Sequence, residues 1–524
     1  MIKAHSFSRS VTAVILLLVT LLVSPGGAWA QGVSFKQLAF EGDAVADGGE
    51  FLSFQHAVIN NDSTVAFVGF TQLQVASCSN KSVNLWKSEA GVIQPPVCIG
   101  ALSNFGRDTI INANGDLAFI QSSGTYSESG GLHQVVSRSI PVPGLPDEKF
   151  DLLITPTMND SGDINFYGSS DITNVQGIWS ETGGAGTLAS LVLDGDPAPG
   201  LPDKVFTRLL NNRSAISNNG DVVFLAWTDD LPPTGRQAQP GVWSVTRDRT
   251  VRKVIAQKDS APGSTGNFSS TSSRPPSVNA KGEVALVGNT TNPNEGGVWA
   301  ERWDEAGQQY VLHNVILKGT EIQVSETDFW APFEFFSPAI NSNGTVGFVA
   351  CTQFSTIRVC GIVRATWNGT GYDHEAIVLD RRIPGAPRGP MSAGFGIPNT
   401  QTFNMNSRGL FVFQAQTDNH GAAWGLWGWR PDIGLRRVYL ATTSFRLPSG
   451  ETRVVFNGTV NINSIVTTGG EDGRPKILND SGMVVFVLEF DALVPDTSRR
   501  KGVFIGDLNE TIFLDSLEWR WRLR

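Results

Sequence analysis

Bulky apolar residues recur along this chain at alternate positions in short bursts, and each burst follows the same polar corner. The pairs are Val65/Phe67, Leu117/Phe119, Ile164/Phe166, Val222/Phe224, Val284/Leu286, Val346/Phe348, Phe411/Phe413 and Val484/Phe486. A period of two is that of a β-strand with one large-residue face. The residue between them is Ala66, Ala118, Asn165, Val223, Ala285, Gly347, Val412 or Val485, mostly small and apolar. Such strands are expected to be covered on both faces, the small face letting a neighbouring sheet approach closely. Asn165 breaks the pattern and, if buried, needs a hydrogen-bond partner.

The corner before each burst completes an Asn-x-x-Gly-x-x-[Ala/Val]-Phe motif. Its eight copies start at Asn60, Asn112, Asn159, Ser217, Asn279, Asn341, Asn406 and Asn479. Asn closes a turn with its own side chain, and Gly three residues later supplies the positive φ of a three-residue hairpin loop with a bulge. Two copies deviate. Ser217 replaces the Asn, and Ser63 replaces the Gly, which predicts a different geometry for the first turn because φ > 0 strains a residue with a Cβ.

Each repeat carries a second strand marked Gly-apolar-Trp: Gly177-Ile178-Trp179, Gly241-Val242-Trp243, Gly297-Val298-Trp299 and Gly425-Leu426-Trp427. Weaker versions are Asn84-Leu85-Trp86, Gly131-Leu132-His133, Gly502-Val503-Phe504 and Gly361-Ile362-Val363. A third strand follows (188–193, 251–256, 376–379), then a loop such as Asp194-Gly195-Asp196-Pro197-Ala198-Pro199-Gly200, then a short strand into the next corner. The repeat is about 60 residues long, too long for a β-solenoid rung of roughly 20–30. The expectation is an all-β fold, a β-propeller of eight four-stranded blades, with seven blades as the alternative. Residues 34–43 and 511–517 both read as a lone third strand. One of them would complete a blade begun at the other terminus, and the pattern does not say which.

Composition changes the compartment rather than the fold. Lys3 and Arg9 precede an apolar run, 11–23, and Ala28-Trp29-Ala30 is a small-x-small cleavage site, so residues 1–30 read as a secretory signal peptide and residues 31–524 as one repeat domain. No Cys sits at that junction, which argues against a lipid anchor. No later stretch approaches ~20 apolar residues, so membrane insertion is not expected. A formal net charge of −9 argues against nucleic acid as a partner. The four Cys fall as two within-blade pairs, predicting disulfides Cys78–Cys98 and Cys351–Cys360 in an oxidising compartment.

On these motifs the chain resembles the bacterial choice-of-anchor tandem repeat proteins, defined by an N-x-x-G-x-x-A-F repeat. The resemblance implies an exported protein, and it brings no catalytic residues. That family often ends in a sorting signal. Here the last residues are Trp519-Arg520-Trp521-Arg522-Leu523-Arg524, with no apolar helix before them, so release to the periplasm or the exterior is expected.

Candidate chemistry is sparse. Asp43, Asp196 and Asp259 recur in the Gly-Asp-x-x-Pro-Gly loops and are the candidates for holding Ca²⁺, against a turn that simply needs Asp, Pro and Gly. His56, His133, His313, His374 and His420 fall in different repeats without metal-ligand spacing. There is no Gly-x-Ser-x-Gly elbow. The acidic pairs Glu41/Asp43 and Glu471/Asp472 read as solvated loop residues. Most Trp positions recur and therefore read as packing. Trp330, Trp424, Trp429, Trp519 and Trp521 lie outside the pattern and are the candidates for a ligand-stacking surface. The resulting expectation is a secreted, non-catalytic binding or scaffold protein whose propeller loops take glycan or extracellular protein. The rival is a secreted polysaccharide hydrolase or lyase with its site at the axis, where acidic and aromatic side chains from several repeats would converge.

Overall fold

The computed structural model describes residues 31–512 apart from 46–48, 76–80, 98–108, 122–123, 155, 211–213, 231–238, 272–274, 325–327, 355–356, 380–402, 418–422, 448, 457–468 and 492–498. The leader, Cys78, Cys98, His420, Trp519 and Trp521 lie outside the described residues. Eight small antiparallel sheets form a ring, so the eight-bladed β-propeller stands over the seven-bladed alternative. In the blade of Ser217, a split inner strand (Lys204–Leu209 and Ala215–Ile216) pairs with Val222–Asp230. That strand pairs with Gln239–Val245, which pairs with the outer strand Val251–Ala256. Blades are numbered here 1 to 8 by their Asn copies, from Asn60 to Asn479.

The alternation predicted this packing. Val222, Val223, Phe224 and Leu225 are all buried, so the second strand is covered on both faces. Within blade 4, Phe206, Phe224 and Trp243 stack from inner to third strand, with Trp243 edge-on to Phe206 at 5.0 Å. The Gly of Gly-x-Trp lies beneath that ring: a Cβ on Gly241 would sit 2.5 Å from Trp243 Cη2. In blade 2 the register corrects the sequence reading. Phe119 faces Tyr126, so Gly124-Thr125-Tyr126 occupies the Gly-x-Trp column, and Gly131-Leu132-His133 leads into the outer strand instead. Asn165 has the partners it needs, Thr157 Oγ1 at 2.5 Å and the Ser214 hydroxyl.

The corners form a ring of hydrogen bonds around the axis. In every blade the Asn (or Ser217) side-chain oxygen accepts the backbone N–H four residues on, as in Thr345 N to Asn341 Oδ1 at 2.9 Å and Asp221 N to Ser217 Oγ at 3.0 Å. In six blades the Asn amide also donates across to the corner carbonyl of the next blade, whereas Asn112 Nδ2 donates to Asp116 Oδ2 in its own turn. These staples are Asn60 to Asn112, Asn159 to Ser217, Asn279 to Asn341, Asn341 to Asn406, Asn406 to Asn479 and Asn479 to Asn60. The last closes the circle. The seven corner glycines have φ between +74° and +91°, and Ser63 at +64° adopts the same geometry, so the first turn keeps the common shape. Its hydroxyl accepts a hydrogen bond from Asn479 Nδ2 at 3.1 Å, which recovers part of the strain.

The N-terminal strand provides the closure. Gln31–Phe40 pairs antiparallel with Arg500–Ile512 as the outer strand of blade 8, and its first two residues also run parallel to Arg436 and Arg437 of blade 7. Just past this strand, burial pushes the Glu41 carboxyl up to about 7, with Glu489 adding to the rise and Lys501 and Arg500 opposing it. The folded protein therefore keeps a proton that the unfolded chain sheds between pH 4.5 and 7. The Glu41 contribution is most favourable below pH 4.5 and is lost as pH rises through 7. Glu41→Gln is expected to stabilise the protein at pH 8 by about 1 kcal/mol, after discounting for partial exposure, and to be neutral below pH 4.5. Urea midpoints of both proteins at the two pH values check this.

Cys351 and Cys360 form the predicted disulfide, joining residues directly opposite on Val346–Phe354 and Ile357–Trp367 of blade 6. Replacing both by Ala is expected to cost about 2–3 kcal/mol from the reopened short loop, measurable as a lowered urea midpoint. No helix among the described residues is long and apolar enough to cross a membrane.

Candidate functional site

The ring leaves an axial channel, and the chain fills it. Residues 469–476, which lead into the corner of blade 8, run down the axis and touch most other blades. Met405 N–H donates to Gly469 O, Met158 N–H to Gly473 O, Ile216 N–H to Asp472 O and Ile59 N–H to Lys476 O, all at 3.0–3.1 Å. Asp472 is fully buried. It accepts hydrogen bonds from Ser277 Oγ at 3.1 Å and from Arg474 Nη1 at 3.1 Å, while Arg474 Nη2 donates to Pro276 O at 2.7 Å. The pair Glu471/Asp472 is thus not a solvated loop feature. It lies at the centre of the fold, where an unpaired charge is costly.

Above this plug seven of the eight corners line a depression of about 260 Å³. Its wall is the second residue of the corner motif: Asn61, Asp160, Asn218, Ala280, Ser342, Ser407 and Asp480, with Glu471 and Lys476 rising from the plug. The backbone N–H of these residues seeks an acceptor on the next blade. Asp160 N–H finds Asn218 Oδ1 (3.2 Å), Ser407 N–H finds Asp480 Oδ1 (2.9 Å) and Asp480 N–H finds Asn61 Oδ1 (3.0 Å). Ala280 and Ser342 are too short to serve blades 4 and 5 in this way. Glu471 serves blades 5 and 6 instead, accepting from Ala280 N–H at 2.9 Å and from the Ser342 N–H and hydroxyl. Asn218 Nδ2 returns a bond to Asp160 Oδ2 (2.6 Å), and Asn61 Nδ2 one to Asp480 Oδ2 (2.9 Å). The three carboxylates of the depression therefore all serve to tie neighbouring turns together.

Around blades 4 to 7 the outer hairpins add an Arg–aromatic rim on the same face. Arg252 lies 4.1 Å over Tyr310, Arg302 6.0 Å from Trp367 and Arg364 5.4 Å from Trp429, each Arg reaching to the next blade. The rim is anchored to the corner of blade 5: Tyr310 Oη donates to Lys281 O at 2.8 Å, and Trp303 N–H to Glu283 Oε1 at 2.9 Å.

The candidates from the sequence fare differently. Asp43, Asp196 and Asp259 sit in separate blades at the ends of outer strands, on the face away from the depression. Each carboxylate accepts the N–H three residues back, from Phe40 (2.7 Å), Leu193 (2.8 Å) and Ala256 (2.7 Å). Two of these loops and the related one of blade 2 are staples: the carbonyls of Pro199, Pro262 and Pro143 accept the indole N–H of Trp243, Trp299 and Trp179 in the following blade. The carboxylates do not converge, and among the described residues no group of three or more His, Cys, Asp or Glu is placed to hold a metal ion. Trp330 and Trp429 are 1% and 4% exposed, so neither offers a stacking surface. Trp424 is half-buried against the core of blades 7 and 8.

The histidines also stay apart. His133 bonds Glu181 and the Gly131 carbonyl at 2.7 Å each; burial opposes its charge, but these bonds raise its pKa overall. Burial lowers the pKa of His374, which bonds the Val315 carbonyl. The column of second-position residues was visible in the sequence as Asn61, Asp160, Asn218, Ser342, Ser407 and Asp480, all polar at one motif position. Glu471 and Lys476 carried no such signal.

The profile of a family of unknown function (DUF7453) matches residues 103–333, less than half of the chain. No curated protein matches the sequence. Among solved structures, the β-propeller domain of the Trilobed protease from Pyrococcus furiosus is similar at 10% identity and TM-score 0.37, over 75% of this chain and 96% of that one. An oligogalacturonate lyase in complex with manganese is similar at 10% identity and TM-score 0.35, over 91% and 98%. A PL25 ulvan lyase is similar at 9% identity and TM-score 0.30, over 78% and 94%. At these scores the likenesses carry no argument about activity.

Proposed function

We propose that this is an exported, non-catalytic binding module that takes a hydroxyl-rich ligand, a glycan, on the face bearing the axial depression. The observation that carries this reading is the commitment of Asp160, Asp480 and Glu471 to amide donors of neighbouring corners. A glycosidase or lyase needs carboxyls that meet substrate, and here they hold the wall in shape. What the wall offers is a set of Asn, Ser and Lys side chains fixed by the ring, the kind of pre-organised polar surface that hydroxyl groups bind. Export is supported by the Cys351–Cys360 bond and by the leader read from the sequence.

The test is to incubate the purified protein with a panel of polysaccharides, scoring both retention and newly formed reducing or unsaturated ends. Retention without new ends is the expected result. New ends that disappear in Asp160→Asn or Glu471→Gln would overturn the proposal in favour of a hydrolase or lyase. Retention only on a protein partner would overturn the choice of ligand.

A further inference from the structure

Two features of the rim depart from the repeat, although Trp367 also meets Arg302 and His313 of blade 5, at 6.0 and 4.6 Å from its ring. The third and outer strands of blades 5 and 6, Gly297–Asp304 with Gln309–Leu317 and Ile357–Trp367 with Tyr372–Leu379, form longer hairpins than Gln176–Glu181 with Leu188–Leu193 or Gln239–Val245 with Val251–Ala256. The longer hairpins end in matching aromatic pairs, Trp303 opposite Tyr310 and Trp367 opposite Tyr372, at 4.9 and 5.2 Å between ring centres. Trp303 and Trp367 stand at the same place in the repeat, four residues after the Trp column. The other blades have Ala90, Gly130, Gly183, Arg247, Pro431 and Leu508 there. Both indoles are half-buried, unlike the column Trp residues beneath them.

We infer that Trp303 and Trp367 form a two-blade stacking platform for a neutral saccharide chain, continuous with the axial depression; this rests on the depression being the binding face. Continuity follows from the anchoring of the blade 5 hairpin to its corner through Tyr310 and Trp303, next to Ala280 and Ser342 of the wall. An indole face takes the apolar C–H face of a pyranose ring, while the depression supplies hydrogen bonds to the hydroxyl groups. Two indoles on adjacent blades suit two rings of one chain better than a single sugar. Neutrality follows from the charges. Arg252 is paired with Glu301, Arg302 with Glu283 and Arg364 with Glu375, so the rim cations are already compensated. The depression itself holds Asp160, Asp480 and Glu471 against Lys476, a balance that repels uronate or sulfate groups.

The experiment uses the full chain in native gels cast with neutral polysaccharides (β-glucan, xylan, galactomannan) or acidic ones (alginate, polygalacturonate), with tryptophan fluorescence titrations of matching oligosaccharides of increasing length. Retardation by at least one neutral polymer and by neither acidic one is expected, with affinity rising from disaccharide to longer oligomers. Trp303→Ala and Trp367→Ala are each expected to weaken binding about tenfold or more while the protein stays folded, and Trp303→Tyr and Trp367→Tyr to restore most of it. Retardation by the acidic polymers alone, or by none of the neutral ones, overturns the inference. Should Lys476→Ala abolish retardation while the two Trp variants bind as the native protein does, the depression remains the binding site and the platform is wrong.

Discussion

Asp472→Ala is expected to lower the unfolding free energy by about 3–5 kcal/mol, the largest effect of any single substitution away from the aromatic core. Asp472 is fully buried, and removing its carboxylate leaves the guanidinium of Arg474, 3% exposed, without its counter-charge. Ser277 Oγ and the Gly470 N–H lose their acceptor in the same step. The loss is not confined to blade 8, because the plug carries backbone hydrogen bonds to blades 1, 3, 4 and 7 through Lys476, Gly473, Asp472 and Gly469. A loosened plug therefore weakens the ring at several seams at once. Urea unfolding followed by tryptophan fluorescence checks this, since column indoles are buried in five of the eight blades. Asp472→Asn, which keeps the shape and part of the hydrogen bonding, should cost less than the Ala variant. A loss below about 1 kcal/mol for Asp472→Ala would mean that the plug occupies the axis without clamping it.

Why the plug escaped the sequence reading follows from what makes it buried. Gly469-Gly470-Glu471-Asp472-Gly473-Arg474-Pro475 has no apolar period and three charges in a row of turn formers, the composition of a solvated loop. Its burial is set by the radius of eight closed blades, which no local window contains. The blades themselves were legible because their constraint is local and repeated: Phe224 and Trp243 sit in the same columns as Phe166 and Trp179, and the strand period places each on its face. Where the column residue changed, as at Tyr126, the pattern was misaligned to Gly131-Leu132-His133. The closing strand was undecided because both termini carry similar apolar runs. The choice depends on the long-range register of Gln31–Phe40 against Arg500–Ile512. The exposed-Trp expectation failed at Trp330 and Trp429 for a related reason. Lying outside a repeat column says nothing about burial, and Trp429 is covered by Phe411 and by Arg364 of the neighbouring blade.

The corner Asn was read from sequence as a device that closes its own turn, yet half of its side chain works between blades, and this division can be measured. Asn341→Ala is expected to destabilise the protein by about 3 kcal/mol. It strands the Thr345 N–H inside its own turn, and it removes the donor shared by the Asn406 and Ser407 carbonyls of blade 7 at 3.2 and 3.0 Å. Asn341→Ser separates the two roles. The native chain already holds the control, because Ser217 Oγ accepts the Asp221 N–H and the blade 4 turn keeps its Gly220 at φ +88° without any staple from that side chain to blade 5. The Ser variant is therefore expected to keep the turn and lose only the staple, for roughly half the Ala penalty. The reciprocal change tests the same logic in the stabilising direction: Ser217→Asn would let blade 4 reach the Asn279 carbonyl and is expected to gain up to about 1 kcal/mol. Urea midpoints of the three variants order the outcomes, with Ser217→Asn above the native protein, Asn341→Ser below it and Asn341→Ala lowest. If the Ser and Ala variants at 341 unfold together, the inter-blade bond carries the whole effect and the turn does not need its clasp. If Asn341→Ser matches the native protein, the staples are incidental, and the ring is held by its aromatic stacks and plug alone.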